Sequence, residues 1–234
     1  NILLTIILIS LGGFVHNTGA SLACPDWPLC YGEVLPVMEG SVLIEHSHRL
    51  LASLVGFITI LIVIFAKKSK PVIFGASIGA LILVIFQGVL GGMTVLFQLP
   101  TIVSTAHLAT SMLFLGTLFY LDHKAFFQIK RSAPDVRNLH TFTKWTLIIV
   151  YMQMILGAFM RHSGLGGVCG VGYDSALICN DLVDSITSWL PTSSEAQLHV
   201  LHRYLGVIAG LMGLGLAWFF KRVSPVLASF IGIV

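Results

Sequence analysis

The stretch IEHSHRLLASLVGF (44–57) places Glu45, His46, His48 and Arg49 at the head of a segment otherwise apolar enough for a lipid bilayer. Two later stretches repeat the theme: TAHL carries His107, and HVLHR carries His199, His202 and Arg203. Ionisable side chains inside a membrane are costly and normally face a bundle interior where something binds them. A neutral imidazole is a common axial ligand for haem iron. A carboxylate within reach of a reacting group can accept and release protons. A close cysteine pair, such as Cys24 and Cys30 in CPDWPLC, can form a disulfide or pass electrons through one.

The elements that must position these groups are transmembrane helices. Of the 234 residues, 56% are hydrophobic and only 10% charged, and mean hydropathy is +0.93, the composition of an integral membrane protein. Five apolar runs, about 2–20, 41–66, 71–98, 101–121 and 141–160, and a sixth at about 197–220, are each near the roughly 20 residues a crossing needs. A seventh begins at Ser224. The chain opens at Asn1 without an initiator methionine or a charged leader and stops at Val234, so it reads as a fragment, trimmed more at its end than at its start.

Ten of the thirteen Lys and Arg residues share one side: Lys67, Lys68, Lys70, Lys124, Lys130, Arg131, Arg137, Lys144, Lys221 and Arg222. The positive-inside rule makes that side cytoplasmic and puts residues 17–40, the 98–100 turn and the 161–196 segment outside. This bias accounts for the net charge of +3 without a nucleic-acid partner. All four cysteines fall in the outer loops, where an oxidising exterior permits the disulfides Cys24–Cys30 and Cys169–Cys179. Electron exchange by the first pair is the sharper alternative. Zinc fits less well, because neither loop has the short paired spacing of zinc sites.

The chain also repeats itself. GGFVHNTGASLAC (12–24) aligns with GAFMRHSGLGGVC (157–169) at a constant offset of 145, and EHSHR (45–49) with HVLHR (199–203) at 154. His48 thereby corresponds to His202, Arg49 to Arg203 and Glu45 to His199. The reading is an all-α membrane protein built by tandem duplication of a four-helix bundle, with halves at 1–125 and 139–234. Eight spans are expected in the intact protein, about seven of them begun here. An even number of spans separates the copies, so both run in the same direction.

His48, His107 and His202 each lie one or two turns from the outer end of a helix. Two axial ligands must approach an iron from opposite faces and hence from different helices. His48 with His107 meets that condition; the partner of His202 would fall near position 261. Glu45 and His48, or His199 and His202, lie three apart on one helical face and cannot clamp one iron. Arg49 and Arg203 are placed either to meet haem propionates or to snorkel to the interface. His46 has no counterpart in the second half and is given no role. Gly88, Gly91, Gly92, Gly206 and Gly210 would allow close helix approach or leave room for a flat macrocycle.

Together, NTGASLACPDWPLCYG, IEHSHR, QGVLGG with TAHL, GAFMRHSG and LHRY resemble the haem A synthase family along essentially the whole chain. The resemblance implies a membrane enzyme that oxidises a methyl group of haem O, through hydroxymethyl, to the formyl group of haem A for respiratory terminal oxidases, with oxygen from water. It implies substrate haem between His48 and His107, a haem b cofactor held by His202, and catalytic roles for Glu45, Cys24 and Cys30. Expected partners are haem O, the bilayer, a haem O synthase and a quinone or other electron acceptor, with room for a homo-oligomer. The expected location is a bacterial cytoplasmic or mitochondrial inner membrane, cysteine loops outward. The second cysteine loop lacks the CPxxPLC form, which favours a purely structural disulfide there. Two other readings compete: a bis-histidine cytochrome b exchanging electrons with quinone, and a thiol–disulfide oxidoreductase acting on the outer side.

Overall fold

The computed structural model describes residues 1–126, 136–169, 191 and 193–223. Its elements are the helices α1 (Ile2–Asn17), α2 (Gly40–Ala66), α3 (Pro71–Leu96), α4 (Thr101–Phe126), α5 (Val136–His162) and α6 (Ser194–Val223), with a short 3₁₀ turn at Leu165–Gly167. Five of these helices, α2 to α6, are long and apolar enough to cross a membrane, and α1 is a shorter apolar helix of 16 residues. The chain is an integral membrane helical bundle. Among the described residues the only β pairing is an isolated bridge between Cys30 and Glu33.

Local chemistry sets the helix ends. Pro71 starts α3 at its first turn, where a missing N–H costs nothing. Gln98 and Leu99 turn the chain at φ of 56° and 61° before Pro100, and α4 follows at once. The Ser193 hydroxyl accepts the Ala196 N–H at 3.2 Å and caps α6. α4 continues to Phe126, past the expected end near 121, because Leu121 still packs in the apolar core while Asp122, His123 and Lys124 form a polar last turn.

The chain divides into two compact units, Asn1–Lys130 and Arg131–Val234. In the first, α1 packs on α2, α2 on α3, α3 on α4 and α4 back on α1, so α2 and α4 stand diagonally across the bundle. Val55, Ala80, Phe114, Leu118 and Leu121 form its buried core, with Leu4 and Leu8 of α1 against it. This apolar layer fills the half towards the C-terminal end of α2. In the second unit α5 packs on α6, and both contact the 3₁₀ turn. Large apolar side chains such as Phe57, Phe65, Ile82 and Ile102 point outward, as lipid-facing residues do.

Candidate functional site

In the first unit His48 and His107 lie in the layer above the apolar core, and they and His202 of the second unit each pack against a glycine on a neighbouring helix. A Cβ placed on Gly12 of α1 would lie 3.0 Å from Cε1 of His48 on α2. One on Gly91 of α3 would lie 3.4 Å from Cε1 of His107 on α4. In the second unit, one on Gly157 of α5 would lie 2.7 Å from Cε1 of His202 on α6. Gly12 and Gly157 open the two repeat motifs, so the sequence repeat recurs as a glycine–imidazole contact in each unit.

These residues fit axially ligated haem. His48 and His107 come from diagonal helices, and each imidazole lies in a hollow that any larger residue would narrow. The Nδ1 atoms of His48 and His202 are buried without a hydrogen-bond partner, so a ligand or water is needed to satisfy both rings fully. Gln153 places its Nε2 atom 3.4 Å from His202 Nε2 and itself packs against Gly206. Gln87 of α3 donates to the Thr110 hydroxyl, one turn along α4 from His107. A Cβ on Gly88 or Gly210 would meet no neighbour within 4 Å, so neither glycine is in close contact with another side chain.

Glu45 is 3% exposed, one turn outward of His48. Its Oε2 accepts the Cys24 N–H at 2.8 Å, and its Oε1 pairs with the Arg49 guanidinium at 2.5 Å. Arg49 also donates to the carbonyls of Cys24 (3.1 Å), Asp26 (2.6 Å) and Leu29 (2.7 Å). The Nη atoms of Arg49 are thus engaged with Glu45 and with the cysteine loop. Adjacency to His48 in sequence does not decide where a long, flexible side chain ends.

Cys24 and Cys30 form a disulfide, with both residues fully buried. Asp26 shapes the loop between them, accepting the Tyr31 N–H at 2.7 Å and the Gly32 N–H at 2.8 Å. The Gly32 bond in particular holds the Asp26 carboxyl below its ordinary 3.8. Trp27 lies against α3, where a Cβ on Gly92 would fall 2.8 Å from its ring. The loop thus caps the end of the first bundle at which α2 begins, pinned to α2 through Glu45 and Arg49 and to α3 through Trp27.

The second unit echoes this. His199, the counterpart of Glu45, is 8% exposed, and its Nε2 lies 3.3 Å from the Gly166 carbonyl in the loop leading to Cys169. The pairing of Cys169 with Cys179 lies outside the described residues, because Cys179 is not among them. His46, given no role from the sequence, is 3% exposed and lies beside the first disulfide. Its only sequence signal was a histidine inside an apolar span, and the absence of a repeat partner concealed it.

The chain matches, over residues 1–233, the family described as cytochrome oxidase assembly protein. It is 29% identical over 236 residues to a haem A synthase of Shouchella clausii, covering 95% of this chain and 75% of that one. Against a haem A synthase of Halalkalibacterium halodurans it is 27% identical over 229 residues, 94% of this chain and 74% of the other. A haem A synthase of Alkalihalophilus pseudofirmus shares 30% over 211 residues, 87% and 68% of the respective chains. With the family match running almost end to end over a bundle of membrane helices, the chain belongs to the cytochrome oxidase assembly protein family, together with these haem A synthases.

Proposed function

We propose that this membrane oxidoreductase is a haem A synthase, oxidising a methyl group of haem O to a formyl group, with water supplying the oxygen. The observation that carries the reading is the first bundle's outer layer. There, two diagonal helices present His48 and His107 on glycine cradles, and a buried glutamate lies one turn above one of them. In this reading His48 and His107 flank the substrate haem. Oxidising a methyl group releases protons and electrons, and Glu45 takes up protons at its carboxylate and steadies positive charge that develops nearby. Arg49 orients that carboxylate, and the cysteine loop above it limits water. A haem b held by His202 in the second unit would supply one-electron transfer. Cys24 and Cys30 serve as a redox pair on the outer side, and the surplus of Lys and Arg on the opposite loops supports that orientation.

The test is acid–acetone extraction of the haems from protein made in a host that produces haem O, with separation by reverse phase and identification by mass. Haem B together with haem A or its hydroxylated precursor is the expected result. Haem B alone, with haem O supplied, would point instead to an electron-transfer cytochrome. Glu45→Gln keeps the size of the side chain and an oxygen for the Cys24 N–H. It is expected to retain haem O and lose roughly 10²- to 10⁴-fold in turnover, the usual worth of a positioned acid–base group.

A further inference from the structure

A second set of donor atoms lies apart from the histidines that flank the haems. Cys24, Cys30 and His46 are all buried, and the two sulfurs and a ring nitrogen of His46 lie within 4.8 Å of one another. The state of the imidazole raises this above simple proximity. Nε2 of His46 is 2.8 Å from the Val34 carbonyl oxygen, which can only accept, so Nε2 carries the proton and donates it. Nδ1 then holds the lone pair, and it is buried with no hydrogen-bond partner. A disulfide has no proton to offer it. An imidazole that gives one N–H to a backbone carbonyl and keeps its other nitrogen open is the arrangement that orients histidine ligands in metal sites.

We propose that reduction of Cys24–Cys30 converts this cluster into a binding site for one soft or borderline cation, of the Cu(I) or Zn(II) class. A dithiol from outside supplies two electrons and two protons; the S–S bond breaks, both sulfurs become thiols, and the dithiol leaves as a disulfide. The cation then displaces the two thiol protons to solvent and binds two thiolates and Nδ1 of His46. Such a set suits trigonal Cu(I), or Zn(II) with water in the fourth position. Hard cations are disfavoured because the nearby carboxylates are engaged, Glu45 with Cys24 N–H and Arg49, and Asp26 with two loop amides. Metal occupancy and the disulfide exclude each other, so the site reports the redox state of the loop and holds it reduced. The donor set shares no residue with His48, His107 or His202 and does not rest on the haem reading.

The protein, purified in detergent without a polyhistidine tag, is reduced anaerobically with a phosphine. It is then equilibrated with chelator-buffered Zn(II) or, separately, Cu(I). Metal content after desalting and K-edge X-ray absorption give stoichiometry and ligands. Reduced protein is expected to hold about one equivalent of at least one of these cations, with sulfur and nitrogen scatterers, and oxidised protein none. His46→Ala should lose the nitrogen and bind more than ~100-fold more weakly, beyond the loss typical of outer-shell changes. Cys30→Ser, which leaves α2 untouched, should abolish tight binding and keeps the proposal testable if the His46 variant fails to fold. Reduced protein that binds neither cation, or a His46→Ala variant with unchanged affinity and ligand shell, would overturn it.

Discussion

At the scale of single residues, three glycines decide how the imidazoles sit, and their clearances rank them. A methyl group on Gly157 would come within 2.7 Å of His202, on Gly12 within 3.0 Å of His48, and on Gly91 within 3.4 Å of His107. The first distance forces the ring to move, the second presses it, and the third is ordinary contact. Overpacking a tight site costs about 1–3 kcal/mol, which is roughly 5- to 150-fold in affinity for whatever the ring ligates. Gly157→Ala should therefore weaken haem retention in the second unit most, Gly12→Ala should do so less, and Gly91→Ala should resemble the parent in extracted haem and in the low-spin spectrum. Equal losses across the three would show that the glycines serve helix packing alone. The glycine-packed positions of His48 and His202 were legible in the sequence because the two histidines recur at a fixed offset of 154. The glycines were legible as a motif but not as cradles, since nothing in one dimension says which helix face a glycine opens onto. His46 and the Arg49 contacts depend on a loop that folds back across α2, and hydrophobic periodicity carries no information about such a loop.

At the scale of elements, the segment between α1 and α2 behaves as a tethered cap. Arg49 makes four hydrogen bonds that join α2 to the backbone of this loop and to Glu45. Arg49→Ala strands a buried carboxylate, a change that costs about 3–5 kcal/mol in comparable pairs, and frees the loop. A membrane-impermeant phosphine should then reduce Cys24–Cys30 faster in Arg49→Ala than in the parent, read by thiol-specific mass labelling. Arg49→Lys should fall between them, because an ammonium cannot span the same fork of acceptors. Unchanged reduction rates would mean that Trp27 and Asp26 hold the loop without the guanidinium. Asp26 gives the same assay a pH dependence. Its carboxyl is held below 3.8, chiefly by the Gly32 N–H, so its contribution is complete above that value and disappears only as pH falls through the lower folded value. The reduction rate should show no Asp26 step from neutral pH to about 4 and rise below it, whereas Asp26→Asn should lack that step. The helices themselves were readable from hydropathy to within a few residues. The cap was not, because its shape comes from one arginine, one aspartate and one tryptophan meeting backbone and glycine.

At the scale of the whole chain, duplication and charge are the two organising facts. Gly12 with His48 and Gly157 with His202 show that the repeat preserves a contact as well as a pattern. Glu45 and His199 each reach the backbone of the cysteine loop in their own unit, yet with different chemistry: a carboxylate that accepts the Cys24 N–H in one, an imidazole nitrogen 3.3 Å from the Gly166 carbonyl in the other. Charge predicts an orientation: ten of the thirteen Lys and Arg residues fall in the sequence after the second, fourth and sixth apolar runs or at the start of the fifth, and by the positive-inside rule this puts the cysteine loops outside. Both disulfide chemistry and the proposed reduction-dependent site require the Cys24–Cys30 loop to face an oxidising compartment served by exchangeable dithiols. Single cysteines at exposed positions test this directly, since the described residues include no free thiol to confuse the labelling. Val37, 73% exposed between the disulfide and α2, and Ser69, exposed between α2 and α3, should fall on opposite sides of the membrane. In intact spheroplasts an impermeant maleimide should label Val37→Cys at once and Ser69→Cys only after permeabilisation. The opposite pattern would place the disulfide in a reducing cytoplasm, where its redox role and its exchange with outer dithiols would both fail.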